Sequence, residues 1–263
     1  MPTPNNQAKA LELLKEKQRR VKTNRIKQYA PYPYQVKFHQ EGEDCPQRIL
    51  MAANRVGKTY CGAAETAYHM TGEYPDWWKG RRFDRPVRVW VAGESNDTTR
   101  DIIQKELFGP PQDPSQKGTG AIPLDCIVDT VRKPGVPNAF SAALVRHKSG
   151  KNSQISFKAY EQGFEKFMGE AVDVVWLDEE PKPEIFSQCI TRTADTDGVV
   201  YMTFTPEKGM TSVVSLFMNE LKPGQALVTA TWDDVEHLNA KTKEQLLAVY
   251  SPAELDMRSR GIP

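Results

Sequence analysis

Apolar residues recur along this chain in short unbroken runs rather than in alternation. Ile49–Ala53, Val87–Ala92, Ile155–Ala159, Val174–Leu177, Val199–Phe204 and Ala226–Thr231 are such runs. Strands covered on both faces, as in a parallel sheet, read this way. Between them lie helix-forming stretches: Lys58–Met70, Thr98–Phe108, Pro183–Ala194 and Met210–Leu221. Strands alternating with helices predict an α/β protein, a doubly wound and mostly parallel central sheet flanked by helices. The Pro-containing stretch Tyr29–Tyr34 is non-helical, Gly109–Gly120 reads as a mobile loop, and Lys241–Pro263 reads as two helices.

Composition narrows the class. With 263 residues, 39% hydrophobic and 26% charged, the chain is globular rather than disordered. Its four cysteines, Cys45, Cys61, Cys126 and Cys189, form no CxxC pair, which excludes a zinc ribbon or a disulfide framework and fits a reducing compartment. No apolar run reaches the roughly 18–20 residues of a membrane span, and the N-terminus lacks an apolar signal core. The net charge of +1 conceals an asymmetry. Residues 1–30 hold eight Lys/Arg against Glu12 and Glu16, +6 in all, leaving −5 for the rest. This basic arm suits a polyanion or an acidic partner as well as it suits a solvated helix.

The strongest chemical signal is Ala53-Asn-Arg-Val-Gly-Lys-Thr59, which follows an apolar strand and opens a helix. That is the context of a phosphate-binding loop. Backbone amides would cradle phosphates, Gly57 would permit close approach, Lys58 would place a charge on the β/γ-phosphates, and the Thr59 hydroxyl would hold Mg²⁺. Ala52 stands where the first glycine of the pattern belongs; Asn54, tolerant of left-handed backbone, is the expected substitute. Arg55 is unusual inside such a loop and is a candidate either for contact with the γ-phosphate or for supporting the loop from outside.

About 120 residues later, Val174-Val-Trp-Leu-Asp-Glu-Glu-Pro181 ends an apolar strand in acids. Asp178 can hold the metal and Glu179 can deprotonate the attacking water, with Glu180 the runner-up as base. The separation leaves room for a further strand between the two motifs, an arrangement of ATPases that drive mechanical work. Thr203, Thr205 and Pro206 end another apolar strand and could couple phosphate sensing to movement. Tyr34 and Gln35 lie about 20 residues before the loop; an aromatic ring can stack on adenine and an amide can pair with it. Asp233-Asp234 reads as a turn or cap, the four histidines as no ligand set, and Trp77-Trp78 as a surface-packed pair.

Together, Pro33-Tyr-Gln35, Ala53–Thr59, Trp176–Pro181 and Thr203–Gly209 resemble the ATPase of large terminase subunits, the DNA-packaging motors of tailed bacteriophages. Gly72–Phe83 and Thr231–Asp234 add to the likeness. The resemblance implies a P-loop NTPase fold of the ASCE (RecA-like) kind. It implies a basic helical arm at 1–30, an ATPase core at 31–240, and at 241–263 a helical segment or linker towards a nuclease domain that this chain lacks, so no nuclease activity is expected. It further implies ATP and Mg²⁺ as cofactors, and double-stranded DNA, a portal protein and a small terminase subunit as partners. Assembly would be a homo-oligomeric ring, of five, in the host cytoplasm and transiently on the procapsid portal. A neighbour often supplies an arginine finger in this family. Phe164 stands where that arginine is expected, leaving Lys166 and Arg146 as candidates. Another nucleic-acid translocase or helicase, or a nucleotide-gated module docking on a portal, are the alternative readings.

Overall fold

The computed structural model describes residues 4–263; the first three residues of the expected arm lie outside the described residues. Eight strands form one sheet in the order β3-β4-β5-β2-β6-β7-β1-β8. They are β1 Gln47–Ala52, β2 Arg88–Gly93, β3 Ile127–Arg132, β4 Phe140–Arg146, β5 Asn152–Ala159, β6 Val174–Asp178, β7 Val199–Phe204 and β8 Gln225–Ala230. Five of the seven pairings are parallel; β3–β4 and β4–β5 are antiparallel. The expected α/β architecture is therefore present, and a strand does separate β1 from β6, but it is β7, which follows both motifs in the chain.

The unbroken apolar runs are explained by burial on both faces. On one face Leu50, Ala52, Val174, Trp176 and Tyr201 pack with α2 (Pro33–Glu41) and α3 (Lys58–Thr71). On the other, Ile49, Met51, Val175, Leu177 and Met202 meet residues of α6 (Pro183–Ala194) and α7 (Ser212–Asn219). Each such aliphatic side chain contributes about 1.5–3 kcal/mol by leaving water. The helix α1 (Pro4–Lys22) precedes this core, and α8 (Ala240–Leu247) and α9 (Pro252–Arg260) follow it. Among the described residues no helix is long and apolar enough to cross a membrane.

Several expectations need correction. The stretch Tyr29–Tyr34 is not non-helical throughout: Pro33 and Tyr34 open α2, with the proline in the first turn, where its missing N–H costs nothing. The antiparallel pair β3–β4 escapes the apolar-run criterion, because β3 is an edge strand with Val128 and Val131 exposed and polar residues between. The helix expected at 98–108 is a composite: α4 (Asn96–Thr98), a π-turn (Thr99–Gln104) and α5 (Lys105–Phe108). The 109–120 loop folds back onto α5, with Gly118 N donating to Phe108 O at 2.7 Å and Ala121 N to Glu106 O at 2.7 Å. Trp78 is not at the surface. It is buried among Tyr68, Tyr74, His39 and His69, and its indole N–H donates to Gly80 O at 2.9 Å, while Trp77 is half-buried beside it. Asp234 caps the turn Trp232–Asp234 through Thr231, and Asp233 pairs with Lys243, as a turn-or-cap reading requires.

Candidate nucleotide site

The site forms where the C-terminal tips of β1, β7 and β6 lie side by side, the place where ligands gather in open α/β sheets. β1 runs into the loop 53–57, and Gly57, at φ +90°, turns the chain into α3. That left-handed conformation is open to glycine and strained for other residues. Arg55 takes the second left-handed position, at φ +64°; Asn54, expected to do so, does not. Contacts from distant segments hold this turn. The Tyr34 hydroxyl donates to Val56 O. Gln35 Nε2 donates to Gly57 O at 3.1 Å while its Oε1 accepts from Tyr32 N at 2.9 Å. Trp232 Nε1 donates to Asn54 O at 2.9 Å. His237 Nε2 donates to Arg55 O at 2.8 Å, and its Nδ1 lies 2.9 Å from the Tyr32 hydroxyl. Both ends of the Gln35 amide are thus engaged with backbone, and Tyr34 and Gln35 brace the loop from beneath.

The two motifs converge. Thr59 Oγ1 stands 3.2 Å from Asp178 Oδ1, which also accepts from Thr203 Oγ1 at 2.7 Å. Trp176 Nε1 donates to that same Thr203 hydroxyl at 2.7 Å. Lys58 Nζ donates to Ala53 O and to Thr205 Oγ1, both at 2.7 Å. Thr205 Oγ1 also lies 2.8 Å from Ala52 O and 2.7 Å from Asn54 Oδ1. The tip of β7 therefore interposes one hydroxyl at the lysine and another at the aspartate. Pro206 follows, buried, at the start of the turn that closes with Gly209 N on Pro206 O at 3.0 Å.

These groups do not titrate normally. Burial pulls the Lys58 ammonium down to about 8, against the pull of Glu179 and Asp178. Burial pushes Asp178 up to about 6 although Thr203 and Lys58 oppose it. Glu179 opens to the solvent of the cavity but sits deep in its wall; this enclosure and the Asp178 charge push it up to about 7. Glu179 also has φ +70°, strained for a non-glycine residue. Its carbonyl is held by the buried Tyr160 hydroxyl at 2.9 Å and its N–H by Thr203 O at 3.0 Å. Glu180 points elsewhere: its carboxylate accepts from Thr211, the N-cap of α7.

A cavity of about 590 Å³ opens over these residues. Asn54, Arg55, Gly57, Lys58, Thr59 and Glu179 line one side, and Tyr60, Glu106, Tyr250 and Arg258 complete it. Arg55 is exposed there, and among the described residues its guanidinium has no carboxylate partner. Glu106, Tyr250 and Arg258 carry no local sequence pattern; only the fold brings them here. Lys166 and Arg146, both exposed, lie outside this cavity. Among the described residues no group of three or more His, Cys, Asp or Glu is placed to hold a metal. A hydroxyl and a carboxylate 3.2 Å apart are hard oxygen donors of the kind Mg²⁺ prefers.

Known proteins resemble this chain in sequence and in fold. Over 98% of its length the chain is 37% identical to the terminase large subunit of Salmonella phage P22 and 24% identical to that of Enterobacteria phage LP7. It spans about half the length of these curated relatives, 55% and 57%. Among solved structures, the large terminase ATPase domain of Thermus phage P74-26 matches with a TM-score of 0.61 at 15% identity, over 89% of this chain and 94% of that one. A large terminase from a thermophilic bacteriophage, solved in complex with ADP, matches with a TM-score of 0.63 at 14% identity, over 87% of this chain and 52% of that one. These likenesses show a P-loop NTPase fold. The family model described as terminase large subunit, T4likevirus-type, N-terminal, matches residues 49–263, and the chain belongs to that family.

Proposed function

We propose that this chain is an ATP-hydrolysing motor that drives double-stranded DNA into a procapsid. The observation that carries the reading is the meeting of Lys58, Thr59, Asp178 and Glu179 across three adjacent strand tips. Lys58, Arg55 and the amides of 53–59 would hold the phosphates. Thr59 and Asp178 would hold Mg²⁺, which when bound neutralises charge on the phosphates. Glu179, with its raised pKa, is a stronger base than an ordinary carboxylate and sits beside them to take a proton from water. A phosphate competing for Lys58 would release Thr205, and a change at Asp178 would reach Thr203, so β7 is the natural route from chemistry to movement. The 203–206 tip would then act on a DNA-gripping surface. DNA contact would be with phosphates, since a packaging motor must ignore sequence. The partners in this reading are a portal protein, a small terminase subunit and further copies of the chain in a ring, in the host cytoplasm and transiently on the portal.

The test is the ATPase rate with and without duplex DNA and procapsid, for the native chain and Glu179→Gln. The variant should keep ATP binding and lose roughly 10²–10⁴-fold in turnover, the usual worth of a general base. Unchanged turnover removes the mechanism. Stimulation by single strands with unwinding would identify a helicase instead, and tight binding without turnover in assembled rings a docking module.

A further inference from the structure

The C-terminal helix packs against the phosphate loop and sends Arg258 into the cavity wall. α9 ends at Gly261 in a left-handed cap, φ +68°. A Cβ there would stand 2.7 Å from Ala52 backbone and 2.8 Å from Ala53 N, so the cap lies directly against the start of the phosphate loop. One turn earlier, Arg258 O accepts from Asn54 N at 2.9 Å. These two backbone contacts fix Arg258 at the loop, and its side chain lines the cavity together with Lys58, Thr59 and Glu179.

The guanidinium is held there by two carboxylates. Glu207, from the turn just after Thr205 and Pro206, lies 3.3 Å away, and Glu254 of α9 lies 3.2 Å away. It also covers the Tyr250 ring at 5.2 Å. Both carboxylates are more than a third exposed, 49% and 39%, so water competes for them and each pairing is weak. A phosphate group offers a guanidinium a bidentate partner of higher charge, and Arg is the residue suited to it. Glu207 also acts electrostatically on both Lys58 and Glu179, which puts the Arg258–Glu207 pair near the place where the terminal phosphate and the attacking water belong.

We propose that Arg258 is a nucleotide-contacting residue acting within its own chain: it exchanges Glu207 for the terminal phosphate of a nucleoside triphosphate. The exchange releases the 206–209 turn from α9, so a triphosphate uncouples two segments that a diphosphate leaves joined. This rests on the phosphate-site reading above and adds to it a means of discriminating triphosphate from diphosphate.

The test is calorimetric titration of ATPγS and of ADP into the chain and its variants. Arg258→Ala should weaken ATPγS by roughly 10–100-fold, the worth of a charge-assisted contact, and leave ADP nearly unchanged. Arg258→Lys should recover part of the loss. Glu207→Gln, which takes away one of the two carboxylates that hold the arginine, should tighten ATPγS relative to ADP. An unchanged ratio of the two affinities in Arg258→Ala, or an equal loss for both nucleotides, overturns the proposal. If Arg258→Ala fails to fold, Glu207→Gln decides, a raised ratio supporting the exchange and an unchanged one overturning it. Lys58→Ala is the separate control. If it binds both nucleotides as the native chain does, the phosphate-site reading itself fails and this proposal with it.

Discussion

Two clusters of charge lie near each other in this fold, one sealed in the core and one at the strand tips, and they are built to opposite ends. In the first, Arg48, Glu65, His39 and His69 are all fully buried. Glu65 accepts from Arg48 on two nitrogens and lies 2.8 Å from His39 Nδ1 and 3.3 Å from His69 Nε2. Arg48 also donates to Phe38 O at 2.7 Å, and its Nε is the one atom of the four side chains left without a partner among the described residues. Burial alone would raise the Glu65 carboxyl, but the Arg48 charge and the two histidines outweigh it and hold it well below the usual range. In the second cluster, Lys58 and Glu179 line a cavity with Asp178 buried behind them, two backbone positions are left-handed without glycine, and both acids are raised rather than lowered. Charge sealed with its counter-charge supports a core. Charge left short of counter-charge, under strain and open to solvent, waits for a ligand.

The largest test sets the two glutamates against each other. Glu65→Gln leaves Arg48 buried without its counter-charge and should cost about 3–5 kcal/mol of stability. In a chain of this size that lowers the melting temperature by roughly 6–20 °C. Glu179→Gln should leave the melting temperature unchanged or raised while hydrolysis falls. Scanning calorimetry beside the ATPase assay reads both. A Glu179→Gln chain that melts early with full specific activity would erase the distinction between the clusters. Next in size, Lys58→Ala should weaken nucleotide binding by roughly 10–150-fold, the range for hydrogen bonds to a charged group. Because the lysine is buried with a depressed pKa, its removal should not destabilise the nucleotide-free chain at pH 7, and thermal melting checks this.

The same contrast explains what could be read from the sequence. The strand, loop and helix around Lys58, and the strand ending in Asp178 and Glu179, are local patterns; that β7, which follows both in the chain, slots between their strands is a property of the fold alone. Arg48 could not be read as a core residue, because a charge at the start of a strand looks solvent-facing until Glu65, 17 residues on, is seen beneath it. Asn54 was the natural choice for the left-handed turn on intrinsic preference. Arg55 takes it because Trp232 and His237, distant in the chain, hold the carbonyls of Asn54 and Arg55. Gln35 suggested a base-reading amide, yet its two ends close on Tyr32 and Gly57. Local pattern located the chemistry, and tertiary contact decided which residue of a plausible pair performs each geometric task.

The smallest expected effect is the dependence of kcat/KM on pH, which reports the free site. Below about 7 Glu179 is protonated and cannot accept a proton; below about 6 Asp178 follows, and the metal site loses its carboxylate. Above about 8 Lys58 loses its charge and its hold on phosphate. The profile should therefore be a narrow bell between about 7 and 8, falling roughly tenfold per pH unit on each side at first and more steeply on the acid side below 6. Because Lys58 and Glu179 interact, the two limbs belong to the pair, so Glu179→Gln should both remove the acid limb near 7 and move the alkaline limb downward by taking away a negative charge that favours the ammonium. The parallel change at Glu65 should move neither limb, since the charges acting most on Lys58 and Glu179 are Asp178, Glu207 and each other, not Glu65. A shift of the alkaline limb in Glu65→Gln would mean that the sealed cluster and the open one are electrostatically a single unit, and the division drawn between them would have to be given up.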